Sequence, residues 1–354
     1  MFSTPLAAAL LLADFGSACF PNGHAVKHLD GWTPPLVKPE IRQVSRPAQN
    51  KIAISNVRIF DGYEIGQLTT IVIDGDVIGT DPSGADCVDG LGGVLLPGLI
   101  DSHCHPLTLE HLRQMSSYGV TTAIGMGCSP EPACNTLRNQ TGLTDFYSAG
   151  EIATSPNSTH ATPPTGPPDL ISNASQAQKW VNQRIGNGSD YIKLIAEANG
   201  MTQDEHNAIV YQAHQAGKQS TTHASDIASY KQAVLSKTDI IQHSASDLFL
   251  PVDLVKHIIV GTDSNLLNAG INVAYGSSVH DELENLVSAG MTPAEVLRSA
   301  TILPARQFGL NDRGIIAPGY RADLLLIQGN PLQNISATRN ILRVWNAGLE
   351  FTLV

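Results

Sequence analysis

Hydrophobic and polar residues alternate along the chain near both of its ends. The alternation, broken by turns rich in Asp and Gly, runs through four segments: Ile52–Phe60, Thr70–Ile78, Ala322–Ile327 and Ile341–Gly348. A period of two residues is typical of short antiparallel strands that bury one face. We therefore predict one small β-sandwich domain, built from residues 51–94 together with residues 315–354.

Residues 95–314 follow a different pattern, in which short apolar runs alternate with amphipathic stretches. The apolar runs predict strands that end near seven positions: Asp101, Ile124, Ala149, Ile195, His223, His243 and Asp263. The amphipathic stretches predict helices over residues 110–118, 175–185, 202–216 and 281–289, and one more from Thr292. Strands that alternate with helices favour an α/β fold with a parallel sheet. The predicted architecture is a (β/α)8, or TIM, barrel, a fold of about 250 residues.

Two histidines follow the first apolar run of this region, Leu95–Ile100. Side chains at positions i and i+2 of a strand leave the same face, so His103 and His105 point together. Two neutral imidazoles on one face can hold one divalent metal ion. The alternative is a surface strand with two solvated histidines. Because histidines that end a buried strand must find partners, their placement favours the metal site.

Four further polar residues occupy predicted strand ends: Lys193, His223, His243 and Asp263. In a (β/α)8 barrel, catalytic groups collect at the carboxyl ends of the strands. Each residue alone has a structural alternative, since a lysine can extend along the surface, a histidine can pack at the rim and an aspartate can cap a turn. Together with His103 and His105, the four residues predict a metal site.

Composition excludes other classes of partner. The chain has 354 residues, of which 42% are hydrophobic, and a formal net charge of -11 with no basic block. We therefore expect no nucleic-acid partner. No apolar run approaches the roughly 20 residues that would span a bilayer, so we expect no membrane partner either. The oligomeric state stays open.

Several segments of the chain resemble the amidohydrolase superfamily, and most closely its dinuclear, prolidase-like members. The resemblance covers residues 51–350 and is carried by seven segments: Leu96–His105, Tyr191–Leu194, Thr222–Ala224, Ile241–Ser244, Gly261–Asp263, His280–Leu283 and Gly314–Leu324.

The resemblance implies a metal-dependent hydrolase of C–N bonds that acts on a small-molecule amide, cyclic amide or dipeptide-like substrate. It implies two divalent ions, most simply Zn²⁺, held by His103 and His105, by His223 and His243, and by a carboxylated Lys193 that bridges both. Asp263 would bind the first metal and take the proton from a bridging water molecule, which becomes the attacking hydroxide. His280 would lie near the site as a catalytic residue; the alternative is a residue at the start of a helix.

Two other functions stay open. Mononuclear deaminases resemble this pattern in the histidines and the aspartate but lack the bridging lysine. A non-catalytic product of a damaged barrel is the second alternative. Substrate choice is expected to depend on residues 125–140 and on residues 150–172, which include a long loop at 154–170 rich in Pro, Thr and Ser.

The spacing of two site residues does not fit a complete barrel. Only 20 positions separate His243 from Asp263. A barrel of about 250 residues gives about 31 to each βα unit, so about 60 are expected between the ends of strands six and eight. Residues 246–255 supply only the stub of one helix. We therefore predict a barrel that lacks about one and a half βα units, with the deletion at Val255-Lys256.

The first 50 residues predict export followed by an extended lead-in. Leu6–Ala13 is a short apolar block, and Gly16-Ser17-Ala18 after it fits a cleavage site with small residues. Five Asn-x-Ser/Thr sites favour export as well, at Asn139, Asn157, Asn173, Asn187 and Asn334. The missing Lys or Arg before the block, and Asp14, which interrupts the apolar run directly after Ala13, favour the cytoplasm instead. If the chain is exported, Cys128 and Cys134 can pair, whereas Cys104 is expected in the core.

Overall fold

The computed structural model describes residues 50–161, 167–247, 257–268 and 271–353. In these ranges the strands are β1 (Ile52–Phe60), β2 (Ile65–Asp74), β3 (Val77–Gly79), β4 (Asp86–Asp89), β5 (Val94–Pro97), β6 (Leu99–Cys104), β7 (Val120–Gly125), β8 (Asp145–Ser148), β9 (Ile192–Ile195), β10 (Ser220–His223), β11 (Ile240–Gln242), β12 (Asn265–Asn268), β13 (Ile271–Val273), β14 (Leu324–Ile327), β15 (Ile341–Asn346) and β16 (Leu349–Phe351). The α-helices there are α1 (Leu109–Ser117), α2 (Glu131–Asn135), α3 (Ala177–Gly186), α4 (Gln203–Gln215), α5 (Ile227–Leu235), α6 (Ser277–Ser288), α7 (Pro293–Ser299) and α8 (Ile302–Gln307). The predicted signal and nearly all of the lead-in lie outside the described residues, as does the Val255-Lys256 junction.

Both chain ends join one sheet of eight strands, in the order β16-β15-β14-β5-β1-β2-β3, with β4 also paired to β1. The ends meet where β14 pairs antiparallel with β5, which sets Leu325 opposite Leu96. Edge strand β3 pairs in turn with the segment before β14, through Val77 and Arg321, so the sheet curls around its own core. These strands share one continuous ladder, so the described residues form a single curled sheet, and the two facing sheets of the predicted sandwich are not shown.

The middle of the chain forms parallel strands joined by helices. Strands β6, β7 and β8 make one ladder and β9, β10 and β11 another. Ala153, just after β8, bridges to Leu194 of β9 and connects the two ladders. The predicted strand–helix alternation is thus present, and the architecture is a mixed α/β fold. Among the described residues, no helix has both the length and the apolar character that crossing a membrane requires.

Apolar side chains fill both faces of the parallel strands. A cluster that includes Ile100, Ile124, Tyr191 and Ile240 lies below the strand ends and is closed by residues of α8 and the turn after it. A second cluster joins α3 and α4 to β9. Helix α4 begins with a capping box in which Thr202 and Glu205 exchange hydrogen bonds. Such packing holds the carboxyl ends of the strands at one rim, where polar side chains can converge.

The segment around Asp263 pairs with β6 through main-chain hydrogen bonds. The N–H of Ser102 donates to the carbonyl of Val260 at 2.9 Å, and the N–H of His105 donates to that of Ser264 at 2.9 Å. Within the described residues, no strand pairing connects this segment to β11. Most of the predicted helix stub lies outside the described residues.

Candidate metal centre

The end of β6 sets two imidazoles side by side. His103 is 5% exposed, and its Nε2 atom lies 3.3 Å from Nε2 of His105. Cys104 between them turns to the opposite face, where its side chain is fully buried and its Sγ lies 3.5 Å from the carbonyl oxygen of Ile124. The two-residue period of the strand therefore produces the shared histidine face that the sequence predicts.

Asp263 reaches both of these rings. Its Oδ1 atom lies 3.4 Å from Nε2 of His103 and 3.1 Å from Nε2 of His105. The N–H of Asp263 donates to the carbonyl of His103 at 2.7 Å, so main-chain pairing fixes the position of the carboxylate. Burial opposes ionisation, but the hydrogen bond from His105 and nearby positive charge still lower the pKa of Asp263. The segment with Asp263 pairs directly with the end of β6, which places the carboxylate beside the two histidines.

His223 and His243 extend the cluster. The ring centroids are 4.6 Å apart between His103 and His243, and 4.4 Å apart between His223 and His243. One ligand atom each from His103, His243 and Asp263 all lie within 4.8 Å of one another. Burial is the main cause that lowers the pKa of His223 to about 3 and that of His243 to about 4. Both rings are therefore neutral at pH 7 and keep a lone pair for a metal ion.

Lys193 lies on β9, directly opposite Thr221 of β10. Its side chain is buried, and among the described residues its Nζ atom has no hydrogen-bond partner. Burial lowers the pKa of Lys193 to about 7, while the negative charge of Asp263 opposes that shift. A buried amine without a partner, next to several neutral imidazoles and a carboxylate, is costly unless another group completes the site. This donor set fits divalent metal ions.

Asp101 supports the cluster through hydrogen bonds to residues beside it. Its carboxylate accepts hydrogen bonds from the hydroxyl of Thr262 at 2.7 Å and from the N–H of His103 at 3.2 Å. Burial raises the pKa of Asp101 to about 6, although the hydrogen bonds from Thr262 work in the opposite direction. The side chain thus ties β6 to the segment that carries Asp263. Sequence reasoning used Asp101 only to mark the end of a strand.

His160 and Glu197 complete the rim, and sequence reasoning missed both. The ring centroid of His160 lies 4.7 Å from that of His223. Nδ1 of His160 lies 3.2 Å from a carboxylate oxygen of Glu197, the second residue after β9. The signal for His160 was weak, because it lies in the loop at 154–170 that has no periodic pattern.

His280 is not brought to this cluster. It lies in the first turns of α6, fully buried, with Nδ1 at 2.9 Å from the hydroxyl of Thr338 and Nε2 at 3.0 Å from the carbonyl of Tyr118. Both ring nitrogens are engaged in packing, which favours the alternative of a structural residue near the start of a helix. The other six predicted site residues converge: His103, His105, Lys193, His223, His243 and Asp263.

Comparison with known proteins adds to this geometry. A model of the amidohydrolase family matches residues 242–349. An adenine deaminase from Gluconobacter oxydans (strain 621H) is 28% identical over 320 residues, which cover 78% of this chain and 55% of the deaminase. The chain therefore spans about half the length of this relative.

Solved structures share the fold at low identity. A Xaa-Pro dipeptidase with bound methionine is 22% identical, with a TM-score of 0.71 over 85% of this chain and 100% of that chain. Phenylurea hydrolase B is 18% identical, with a TM-score of 0.74 over 86% of this chain and 97% of that chain. The family match begins at the last residue of β11 and includes the segment with Asp263 and strands β14 and β15. The two solved structures extend the likeness over 85% and 86% of this chain. Residues 242–349 therefore match the amidohydrolase family, and the chain shares its fold with the solved structures of hydrolases named above.

Proposed function

We propose that this chain is a metal-dependent hydrolase that cleaves C–N bonds in small amides, with dipeptides, N-acyl amino acids and cyclic amides as candidate substrates. The observation that carries the proposal is the buried Nζ atom of Lys193, which has no hydrogen-bond partner among the described residues and lies in a cluster with the neutral rings of His223 and His243. We further propose that the parallel strands are the greater part of a (β/α)8 barrel, with this cluster at the carboxyl ends of its strands.

The donor set suits two divalent ions, and zinc is the proposed metal. His103 and His105 would hold the more buried ion together with Asp263, while His223 and His243 would hold the other. A share of Lys193 near a pKa of about 7 is uncharged amine at neutral pH, the form that reacts with carbon dioxide to give a carbamate. That carboxylated side chain would reach both ions. When bound, the ions would lower the pKa of a water molecule and polarise the substrate carbonyl.

The residues around the cluster supply the proton transfers. The carboxylate of Asp263 stays ionised because its pKa is lowered, so it can accept a proton from the attacking water molecule. It would then pass that proton to the leaving nitrogen as the C–N bond breaks. His160 uses Nδ1 to donate to Glu197, so Nε2 of the neutral ring would accept a hydrogen bond from a substrate N–H.

A mononuclear deaminase is the second candidate, favoured by the match to an adenine deaminase over 78% of this chain. It needs the histidines and Asp263 but has no use for a carboxylated lysine. A non-catalytic role is the third candidate. Lys193 therefore discriminates between the first two, and metal content between either of them and the third.

The test compares the purified wild-type chain with Lys193→Ala in metal content and in turnover of a panel containing dipeptides, an N-acyl amino acid, a cyclic amide and adenine. We expect about two equivalents of divalent metal in the wild type, as for dinuclear hydrolases. Lys193→Ala is expected to lose most of the metal and at least ~100-fold of the turnover. Acetate or propionate should restore part of both, since another carboxylate can take the bridging position.

Lys179→Ala is the matched control, because Lys179 lies on the exposed side of α3. It should leave metal content and turnover unchanged. Unchanged metal in Lys193→Ala, with turnover of adenine alone, would replace our proposal with the deaminase. A folded wild-type chain without metal or turnover would point to the non-catalytic alternative.

A further inference from the structure

A disulfide closes a short loop beside the candidate metal centre. Cys128 and Cys134 are bonded to each other, six positions apart; helix α2 begins between them and contains Cys134. Their side chains are buried, at 7% and 2% exposed. The loop follows β7, whose neighbour in the sheet is β6, the strand that ends in the two histidines.

The residue before Cys128 contacts a candidate metal ligand. The carbonyl oxygen of Gly127 lies 3.1 Å from Nδ1 of His105. A carbonyl can only accept, so Nδ1 of His105 must carry the hydrogen. The ring is then oriented with Nε2 toward the cluster, 3.1 Å from Asp263 and 3.3 Å from His103. The carbonyl of Gly127 therefore sets both the tautomer and the direction of this ligand.

Two ties hold this carbonyl in place. At the disulfide end, the N–H of Cys128 donates to the carbonyl of Gly150 at 2.9 Å. In α2, the buried carboxylate of Glu131 accepts from the N–H of Glu151 at 3.2 Å and lies 3.4 Å from Nε of Arg184. The disulfide links the residue next to Gly127 covalently to the anchored helix. Without that bond, two non-covalent contacts would remain at the start of the loop among the described residues: the main-chain hydrogen bond of Cys128 and the hydrogen bond that the Ser129 hydroxyl donates to Glu151 at 3.3 Å.

We propose that the Cys128–Cys134 disulfide positions His105, so that the metal affinity of the centre depends on the oxidation state of this cysteine pair. The inference rests on the metal centre of the proposed function. A dithiol reductant would break the S–S bond: two electrons and two protons pass to the chain as two thiols, while the reductant closes to its own disulfide. The buried sulfurs make this reaction slow, so the bond acts as a lasting support that forms under oxidising conditions.

The experiment compares the oxidised chain with the double variant Cys128→Ser plus Cys134→Ser, without any reductant. Metal-free samples are titrated with Zn²⁺ against a chromogenic chelator. We expect roughly 10–100-fold weaker binding in the variant, the usual effect of losing a group that orients a ligand. The exposed free cysteine Cys87 provides the matched control, since Cys87→Ser should bind as the wild type does.

A second readout needs no metal. The Nδ1 proton of His105 is followed by nitrogen-15 NMR in the metal-free chain, with His105→Gln to assign the signal. We expect a slowly exchanging proton in the oxidised chain and its loss in the double variant. A cooperative melt of the double variant shows that it is folded; if it is not, the wild type reduced by a dithiol and then alkylated is measured instead.

The outcomes separate this inference from the proposed function. A proton that stays protected in the folded variant, or unchanged Zn²⁺ affinity, overturns the positioning role. If the double variant loses the protected proton but the wild type binds no Zn²⁺, the positioning of His105 is supported. The metal centre of the proposed function is then contradicted.

Discussion

Buried imidazoles in this chain differ in whether their nitrogens have partners. His280 engages both nitrogens, and the histidines of the candidate metal centre face one another. His206 is fully buried on α4, and among the described residues neither of its ring nitrogens has a hydrogen-bond partner. It shares a helix face with Ile209 and Val210 of the apolar cluster between α3, α4 and β9. An unpaired polar ring in such a core lowers stability.

Replacement of His206 by leucine is therefore expected to stabilise the fold by about 1–3 kcal/mol near neutral pH. Burial lowers the pKa of His206 to about 4, whereas the unfolded chain keeps the ordinary value of 6.5. Between these values the unfolded state binds more protons, so wild-type stability falls as pH falls. The advantage of His206→Leu should grow by about 2 kcal/mol from pH 7.5 to pH 5, as measured by urea unfolding at both values.

His214 provides the control for this prediction. Its hydrogen bond to Asp239 raises the pKa of His214, so its contribution to stability is present at low pH and is lost as pH rises. His214→Gln should therefore show the opposite dependence on pH. An advantage of His206→Leu that does not change between the two pH values would contradict an unpaired, neutral His206.

The convergence of the candidate ligands was predictable from the sequence because each of them ends a local apolar run, and strand geometry alone puts His103 and His105 on one face. His160 was not predictable in this way. Its place at the rim depends on Glu197, 37 positions away, and nothing near His160 in the chain records that pairing. Likewise, no local pattern shows that the carbonyl of Gly127 meets His105, since the contact joins two neighbouring strand ends.

At the scale of elements, Glu197 fastens the loop after β8 to the end of β9. Its carboxylate accepts from the hydroxyls of Ser158 and Thr159, the latter at 2.5 Å, and pairs with His160. Burial raises the pKa of Glu197, but the hydrogen bonds from both hydroxyls more than offset it, so the pKa lies below its ordinary value. One ionised side chain thus holds the segment that brings His160 to His223.

Glu197→Ala should release this loop. The loss of several hydrogen bonds to a charged acceptor is expected to lower the free energy of loop opening by about 2 kcal/mol, which raises the open population roughly 30-fold. Limited digestion with a broad-specificity protease, read by mass spectrometry, should show correspondingly faster cleavage within residues 154–161. The KM for substrate should rise as well, because His160 is no longer held at the rim.

Glu284→Ala is the matched variant for the loop experiment, since Glu284 forms a surface pair with Arg339 on other elements. It should leave the cleavage pattern unchanged. Equal cleavage of the loop in wild type and Glu197→Ala would mean that other contacts hold the segment closed.

Helices proved easier to predict than strand pairing. The capping residues Thr202 and Thr292, each with a glutamate three positions later, mark helix starts that the structure confirms. Pairing depends on partners far along the chain: β14 inserts between β5 and β15, more than 200 positions after β5. Alternation near Leu324 predicted a strand, but could not decide between two facing sheets and the single curled sheet observed.

On the scale of the whole molecule, only 20 positions separate His243 from Asp263, yet the candidate centre is assembled; among the described residues, one helix beside it exposes an apolar face. The ring of His243 lies against His103 at 4.6 Å, and Asp263 pairs beside β6. Next to β11, helix α5 exposes three apolar side chains, Ile227 at 49%, Val234 at 47% and Leu235 at 57%. A following βα unit would ordinarily cover this face.

We therefore expect low stability and self-association for the chain as it stands, because uncovered apolar side chains beside a strand edge favour aggregation. A version with a segment of ~40 residues restored at Val255-Lys256, sized from the barrel, should cover α5. Sedimentation, thermal unfolding and metal content of both forms test this expectation. The longer form should be monodisperse, melt at a higher temperature and turn substrate over faster. A short form that is monodisperse, melts cooperatively, carries full metal and turns over equally fast would show that the fold tolerates the missing units.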